Sequence, residues 1–150
     1  MRRLNLLLAD DDEDDRLLFE EAFSEVAHNS TITIMKDGKE LLAYLFNPQV
    51  IKPDIIFLDL NMPIINGYKC LEEIRGDSSF NDIFIVMNTT TASHKEINQV
   101  FEQGANLFLI KPNSYNDLKK SIENIMGMDF KKLMQSKHRE SFVFNLDAFR

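Results

Sequence analysis

Five short apolar runs recur along the chain, at Leu4–Ala9, Ile32–Met35, Ile55–Leu58, Ile83–Met87 and Leu107–Ile110, each the length of a strand. Between them apolar residues return at helical spacing. Leu18, Ala22, Phe23 and Val26 share one face of a first helix, and Leu41, Leu42 and Leu45 one face of a second. Leu71 and Ile74 mark a third helix, Ile97, Val100 and Phe101 a fourth, and Tyr115, Leu118, Ile122 and Ile125 a fifth. Asp37-Gly38, Asn47-Pro48, Asn66-Gly67 and Gly104 punctuate the units. Strand and helix alternate five times and the central runs are almost wholly apolar. That pattern predicts a five-stranded parallel sheet, doubly wound with helices on both faces through right-handed crossovers. No repeat or low-complexity segment interrupts it.

Composition narrows the class. At 150 residues and 44% apolar content the chain can fill one core of its own. A net charge of −7 argues against a nucleic-acid partner, which needs a clustered basic face. Arg2-Arg3 precede an apolar run too short, and too soon followed by Asp10–Asp15, to be a signal peptide, and no stretch approaches membrane-spanning length. A cytoplasmic protein without membrane contact is expected. The single cysteine, Cys70, falls in a helical apolar pattern and reads as a small core residue rather than a reactive thiol.

Residues 128–150 differ in character, with five Lys/Arg against three Asp/Glu. Phe130, Leu133 and Met134 extend a helical stripe, and Phe142, Val143, Phe144, Leu146 and Phe149 crowd apolar side chains into a short space. The segment is too short for a second domain. Either it packs back on its own domain or it supplies a partner or dimer contact, since such patches rarely stay in water.

Candidate chemistry lies at the ends of the apolar runs. Asp10 and Asp11 follow the first run, Asp59 the third, Thr89 the fourth and Lys111-Pro112 the fifth. In an open parallel sheet these ends meet in one crevice. Carboxylates within ~4 Å repel by about 4 kcal/mol per pair at an effective dielectric of 20, so such a cup either raises a pKa or holds a cation. Hard oxygen ligands favour Mg²⁺, which would offset the charge of an entering phosphoryl group and let an aspartate act as nucleophile. Lys111 suits a phosphate oxygen, and Thr89 has one hydroxyl hydrogen bond to give. Asp12 to Asp15 read most simply as favourable charges in a first helical turn, with Asp14 and Asp15 left there.

Together these residues resemble a bacterial two-component response-regulator receiver domain over about residues 4–126, leaving 127–150 as an extension without an effector domain. The motifs are Asp-Gly-Lys-Glu-Leu-Leu, Leu-Asp-Leu-Asn-Met-Pro and Gly-Ala-Asn-Leu-Phe-Leu-Ile-Lys-Pro. Intervals of 30 residues from Asp59 to Thr89 and 22 from Thr89 to Lys111 fit the same family. The resemblance implies a flavodoxin-like fold with strand order 2-1-3-4-5. It implies Asp59 as phosphoacceptor for a sensor histidine kinase, Asp11 as a direct Mg²⁺ ligand, Asp10 as a helper through water, and the backbone carbonyl of Asn61 as a further ligand. Thr89 would be the switch hydroxyl, Lys111 the site lysine and Phe108 the switch aromatic. The motifs are similar to those of single-domain regulators serving phytochrome-type kinases. Output is then expected through protein–protein contact, with a homodimer through the fourth- and fifth-helix face, assisted by the tail. Phe142, Phe144, Leu146 and Phe149 would form its apolar patch, and Lys131, Lys132, Lys137 and Arg139 would face the partner's acidic body.

Two positions depart from the family pattern. Phe84 replaces the proline usual at the start of the fourth strand, and Asn88 stands where an apolar residue is usual. A haloacid-dehalogenase-type phosphatase is the rival enzyme, but it needs a second aspartate where Asn61 stands. Asp10, Asp12, Asp14 and Glu21 match a calcium-loop spacing only by chance, since Asp15 occupies its glycine position. A phosphorylation-independent interaction module on the same fold is the remaining alternative.

Overall fold

The computed structural model describes residues 2–90 and 92–149, the last two by backbone alone. Strands β1 (Asn5–Ala9), β2 (Thr31–Met35), β3 (Ile55–Leu58), β4 (Phe84–Thr89) and β5 (Leu107–Ile110) form one sheet in the order β2-β1-β3-β4-β5. Every pairing is parallel. All residues of β3 and β4 are buried, because both faces of the sheet are covered. Leu7, Ala9, Ile56, Leu58, Ile85, Met87 and Phe108 pack against α2 (Gly38–Leu45), α3 (Gly67–Arg75) and α4 (His94–Glu102). Leu6, Leu8, Ile55, Phe57, Val86 and Leu109 pack against α1 (Glu13–Val26) and α5 (Tyr115–Met126).

The helices begin where side chains can take up orphan amides. Asp12, Asp37, Asn66 and Ser114 each accept from a backbone N–H three residues on, and Ser93 with Glu96 forms a reciprocal capping box. Each such cap contributes about 1 kcal/mol. The expected face of α1 holds at Ala22, Phe23 and Val26 and differs at one position. Leu18 is exposed, while Phe19 is buried edge-on to Phe57 at 5.0 Å. Phe19, Ala22, Phe23 and Val26 obey the same helical arithmetic with a larger ring at the sheet, so packing selects that stripe. Cys70 is buried, and burial pushes its thiol up to about 11, as suits a core residue.

The extension packs on its own domain. Helix α6 (Phe130–Gln135) places Phe130 in a stacked contact with Phe84, 4.5 Å between centroids. Beyond it the chain runs along the free edge of β5, where Phe108 N–H donates to Phe142 O at 2.9 Å and Phe144 N–H to Phe108 O at 2.8 Å. Phe142 is buried against Phe101 and Phe108. Lys137 lies over the Phe101 ring and Arg139 donates to Asn98 of α4. The expected exposed patch is therefore broken up, since Phe142 turns inward and Phe144 and Leu146 are only part-exposed. The Phe149 side chain lies outside the described residues.

Candidate functional site

Four strand ends converge as the sheet order requires. β1 delivers Asp10 and Asp11, β3 delivers Asp59 and Asn61, β4 ends on Thr89, and β5 is followed by Lys111. The backbone fixes their spacing: Asp59 N–H donates to Ala9 O at 3.0 Å, and Lys111 N–H to Thr89 O at 2.7 Å. Gly67 lets the loop after β3 close tightly, because a Cβ there would stand 2.7 Å from the Leu60 Cα and strike the Asp59 carbonyl. Ile64 in that loop holds φ at +68°, a left-handed conformation that a β-branched residue rarely adopts.

The ammonium of Lys111 lies 2.8 Å from Asp10 Oδ2, 2.9 Å from Asp15 Oδ2 and 3.5 Å from Asp59 Oδ2. Asp10 and Asp59 are 2% and 5% exposed. Burial, opposed by Lys111 but assisted by Asp10, raises the Asp59 carboxyl from its usual 3.8 to about 6. Burial disfavours the Lys111 charge, yet Asp10, Asp15 and Asp59 outweigh it and hold its pKa above the ordinary value. Asn61 N–H donates to Asp59 Oδ1 at 3.2 Å, and the Asn61 amide donates to Thr89 Oγ1 at 3.3 Å. Phe108 is fully buried on the sheet face that also carries Met87 and Thr89.

One carboxylate oxygen from each of Asp10, Asp11 and Asp59 falls within 4.8 Å of the others. Three hard oxygen ligands, one of them a carboxyl whose pKa is raised chiefly by burial, fit a divalent cation. Every residue expected at the site from the sequence is brought to it, with Phe108 standing behind it in the core. Asp15 was expected only as a first-turn charge, yet it reaches Lys111. Its one sequence trace is its position on the first turn of the helix that follows Asp10, too weak to act on alone.

Comparison with known proteins decides the family. Residues 6–123 match the response regulator receiver domain. The chain belongs to that family. This receiver is 30% identical over 123 residues to the probable methanogenesis regulatory protein FilR2 of Methanothrix harundinacea, covering 80% of this chain and 79% of that one. It is 25% identical over 124 residues to a chemotaxis protein CheY homolog of Campylobacter jejuni, covering 83% and 93%. Among solved structures it superposes on the phosphorylated cyanobacterial phytochrome response regulator RcpA with a TM-score of 0.76, 26% identity and coverage of 83% and 91%. The Mn²⁺-bound form of response regulator Rcp1 gives the same score and identity, covering 83% and 93%. The receiver works in two-component phosphorelay signalling, in which receivers take phosphoryl groups from histidine kinases. Nothing favours the dehalogenase-type phosphatase. Among the described residues no helix is long and apolar enough to cross a membrane.

Proposed function

We propose that Asp59 accepts the phosphoryl group from a phosphohistidine on a sensor histidine kinase and that the chain answers by changing protein–protein contacts. The observation that carries this is one half-buried ammonium, Lys111, set among three carboxylates that converge from α1 and the ends of β1 and β3. Asp11 and Asp59, the backbone carbonyl of Asn61, and Asp10 through water would hold Mg²⁺. Bound there, Mg²⁺ supplies positive charge for the entering phosphoryl oxygens. Asp59 attacks phosphorus, the bond to the donor breaks with its electron pair leaving on the donor, and Lys111 draws the phosphoryl oxygens into place. Thr89 then turns its hydroxyl toward the phosphoryl group, and Phe108 fills the space behind it, giving a two-state element.

The chain is a phosphoacceptor in this reading, with no further enzymatic activity, in the cytoplasm, with no nucleic-acid partner. Residues 4–126 form the receiver and 127–150 an extension packed on it. Likeness to the phytochrome response regulator RcpA supports a phytochrome-type kinase as donor. A homodimer through the face of α4 and α5 belongs to the same reading, with a second copy meeting the docked tail rather than a bare sheet edge.

The test is incubation with acetyl phosphate and Mg²⁺, followed by trapping and mapping of the acyl phosphate. Label on Asp59 that vanishes in Asp59→Asn is expected. Label undiminished in that variant would sink the assignment.

A further inference from the structure

Asp15 is given no role in the phosphoryl transfer above, yet it makes one of the two shortest contacts to the Lys111 ammonium. It is fixed for that contact. Its own N–H donates to the Asp12 side chain at 3.0 Å, so the first turn of α1 holds the Asp15 backbone over the site. The contact to Asp59, the group to be phosphorylated, is longer by 0.6 Å than that to Asp15. Once Asp10 serves a cation, the ammonium is left between Asp15 on one side and Asp59 with its incoming group on the other.

A second polar group faces the same place. Asn88 is 3% exposed, and its Oδ1 has no hydrogen-bond partner among the described residues. It lines a cavity of about 60 Å³ with Asp10, Asp15 and Lys111, closed by Leu18 and Pro112. That acceptor lines the same cavity as Lys111 without bonding to its ammonium, so it adds a polar wall on the Asp15 side. Asp15 and Asn88 lie together on the side of Lys111 that faces α1 and α5.

From this we infer that Asp15 is a positioning residue that holds the Lys111 ammonium in a resting berth, with Asn88 as its second wall, and so restrains phosphoryl transfer to Asp59. The inference rests on Asp59 being the phosphoacceptor. In the transfer the Asp59 oxygen bonds to phosphorus as the donor's P–O bond breaks and acetate leaves with the electron pair. Lys111 keeps all its protons and only changes partners. What Asp15 governs is how readily the ammonium turns from α1 to the phosphoryl oxygens. Because Asp15 is part-exposed, the restraint is that of a half-solvated ion pair, about threefold in rate.

The experiment follows single-turnover phosphorylation of the full chain by acetyl phosphate with saturating Mg²⁺, across donor concentrations, with the labelled residue mapped. Asp15→Asn should raise the saturating rate about threefold and leave the half-saturating donor concentration unchanged, and Asp15→Glu should restore the slow rate. Asp14→Asn removes the same charge from an exposed position of the same turn and should change neither quantity by as much. Asn88→Val should raise the rate in the same direction. Damage to the fold alone would slow transfer, so a gain in rate separates positioning from structure. Label on Asp59 in every variant with an unchanged or slower rate in Asp15→Asn overturns the role of Asp15 while leaving the phosphoacceptor in place. So does an equal gain in Asp14→Asn. Absence of label from Asp59 in the unaltered chain overturns both.

Discussion

Asp59→Asn should make the cation-free protein more stable, although it removes the group on which the proposed function turns. The Asp59 carboxyl titrates at about 6 in the folded chain against a usual 3.8, chiefly because it is buried and secondly because Asp10 stands beside it. A folded-state value above the unfolded one means that the native state holds the proton more tightly between about pH 4 and pH 6. Stability therefore falls as pH rises through that window, and above it the ionised carboxylate costs the fold on the order of 3 kcal/mol. Asparagine keeps the shape and an oxygen for the Asn61 N–H, while Lys111 retains Asp10 and Asp15. Urea unfolding with chelator at pH 7.5 should show Asp59→Asn with a midpoint higher by about 1.5 M, for a slope of about 2 kcal/mol/M. At pH 4.5 most of the difference should be gone. Saturating Mg²⁺ should also narrow it, since a ligand of the native state stabilises only the chain that binds it well. Equal midpoints at pH 7.5, or a difference that does not change with pH, would refute the account of Asp59 as a strained buried carboxylate.

Ile64→Gly should stabilise the protein by about 1 kcal/mol, because it releases a left-handed β-branched residue worth about 1–2 kcal/mol and gives back part as unfolded-chain entropy. The side chain is 85% exposed, so little burial is lost; a lower melting temperature in the variant would show that the loop is not strained there. Thr89→Ala should still accept phosphate on Asp59 yet lose the change in partner binding, and full signalling by that variant would show that the route to Phe108 is wrong. Phe142→Ala should loosen the tail by about 2 kcal/mol of lost burial. Amide exchange at Phe108 and Phe144 should then quicken well before that of β3, and unchanged protection would mean that the ring does not hold the strand in place.

The sheet was legible because apolar runs of four to six residues separated by helical patterns admit few other arrangements. β3 and β5 begin and end where the sequence places them, and the other strands differ by a residue or two at their ends. The site was legible for a related reason, since residues following strands are forced together by the order of the sheet. Periodicity could not choose between Leu18 and Phe19, because both continue a helical stripe and only the Phe57 ring across the interface decides. Nor could it see that Asp15 reaches Lys111, a contact between residues 96 apart. The seat of Phe142 on β5 was equally hidden. One bridge between Phe108 and Val143 has no alternation of its own, so an apolar tail seeking its own sheet looks the same in sequence as one seeking a partner.

The Lys111 contacts span 101, 96 and 52 residues of chain to Asp10, Asp15 and Asp59. Loop closures of that length form late, after the strands between have been laid side by side. Until β5 joins β4, the acidic residues after β1 and β3 lack the Lys111 ammonium that lies among them in the finished fold. Assembly of the cup is thus coupled to completion of the sheet, and a half-folded chain holds neither the ammonium nor the geometry to capture a phosphoryl group. With Asp59 as the phosphoacceptor, competence to receive a message would double as a certificate of folding, since a chain lacking β5 would not carry the whole site.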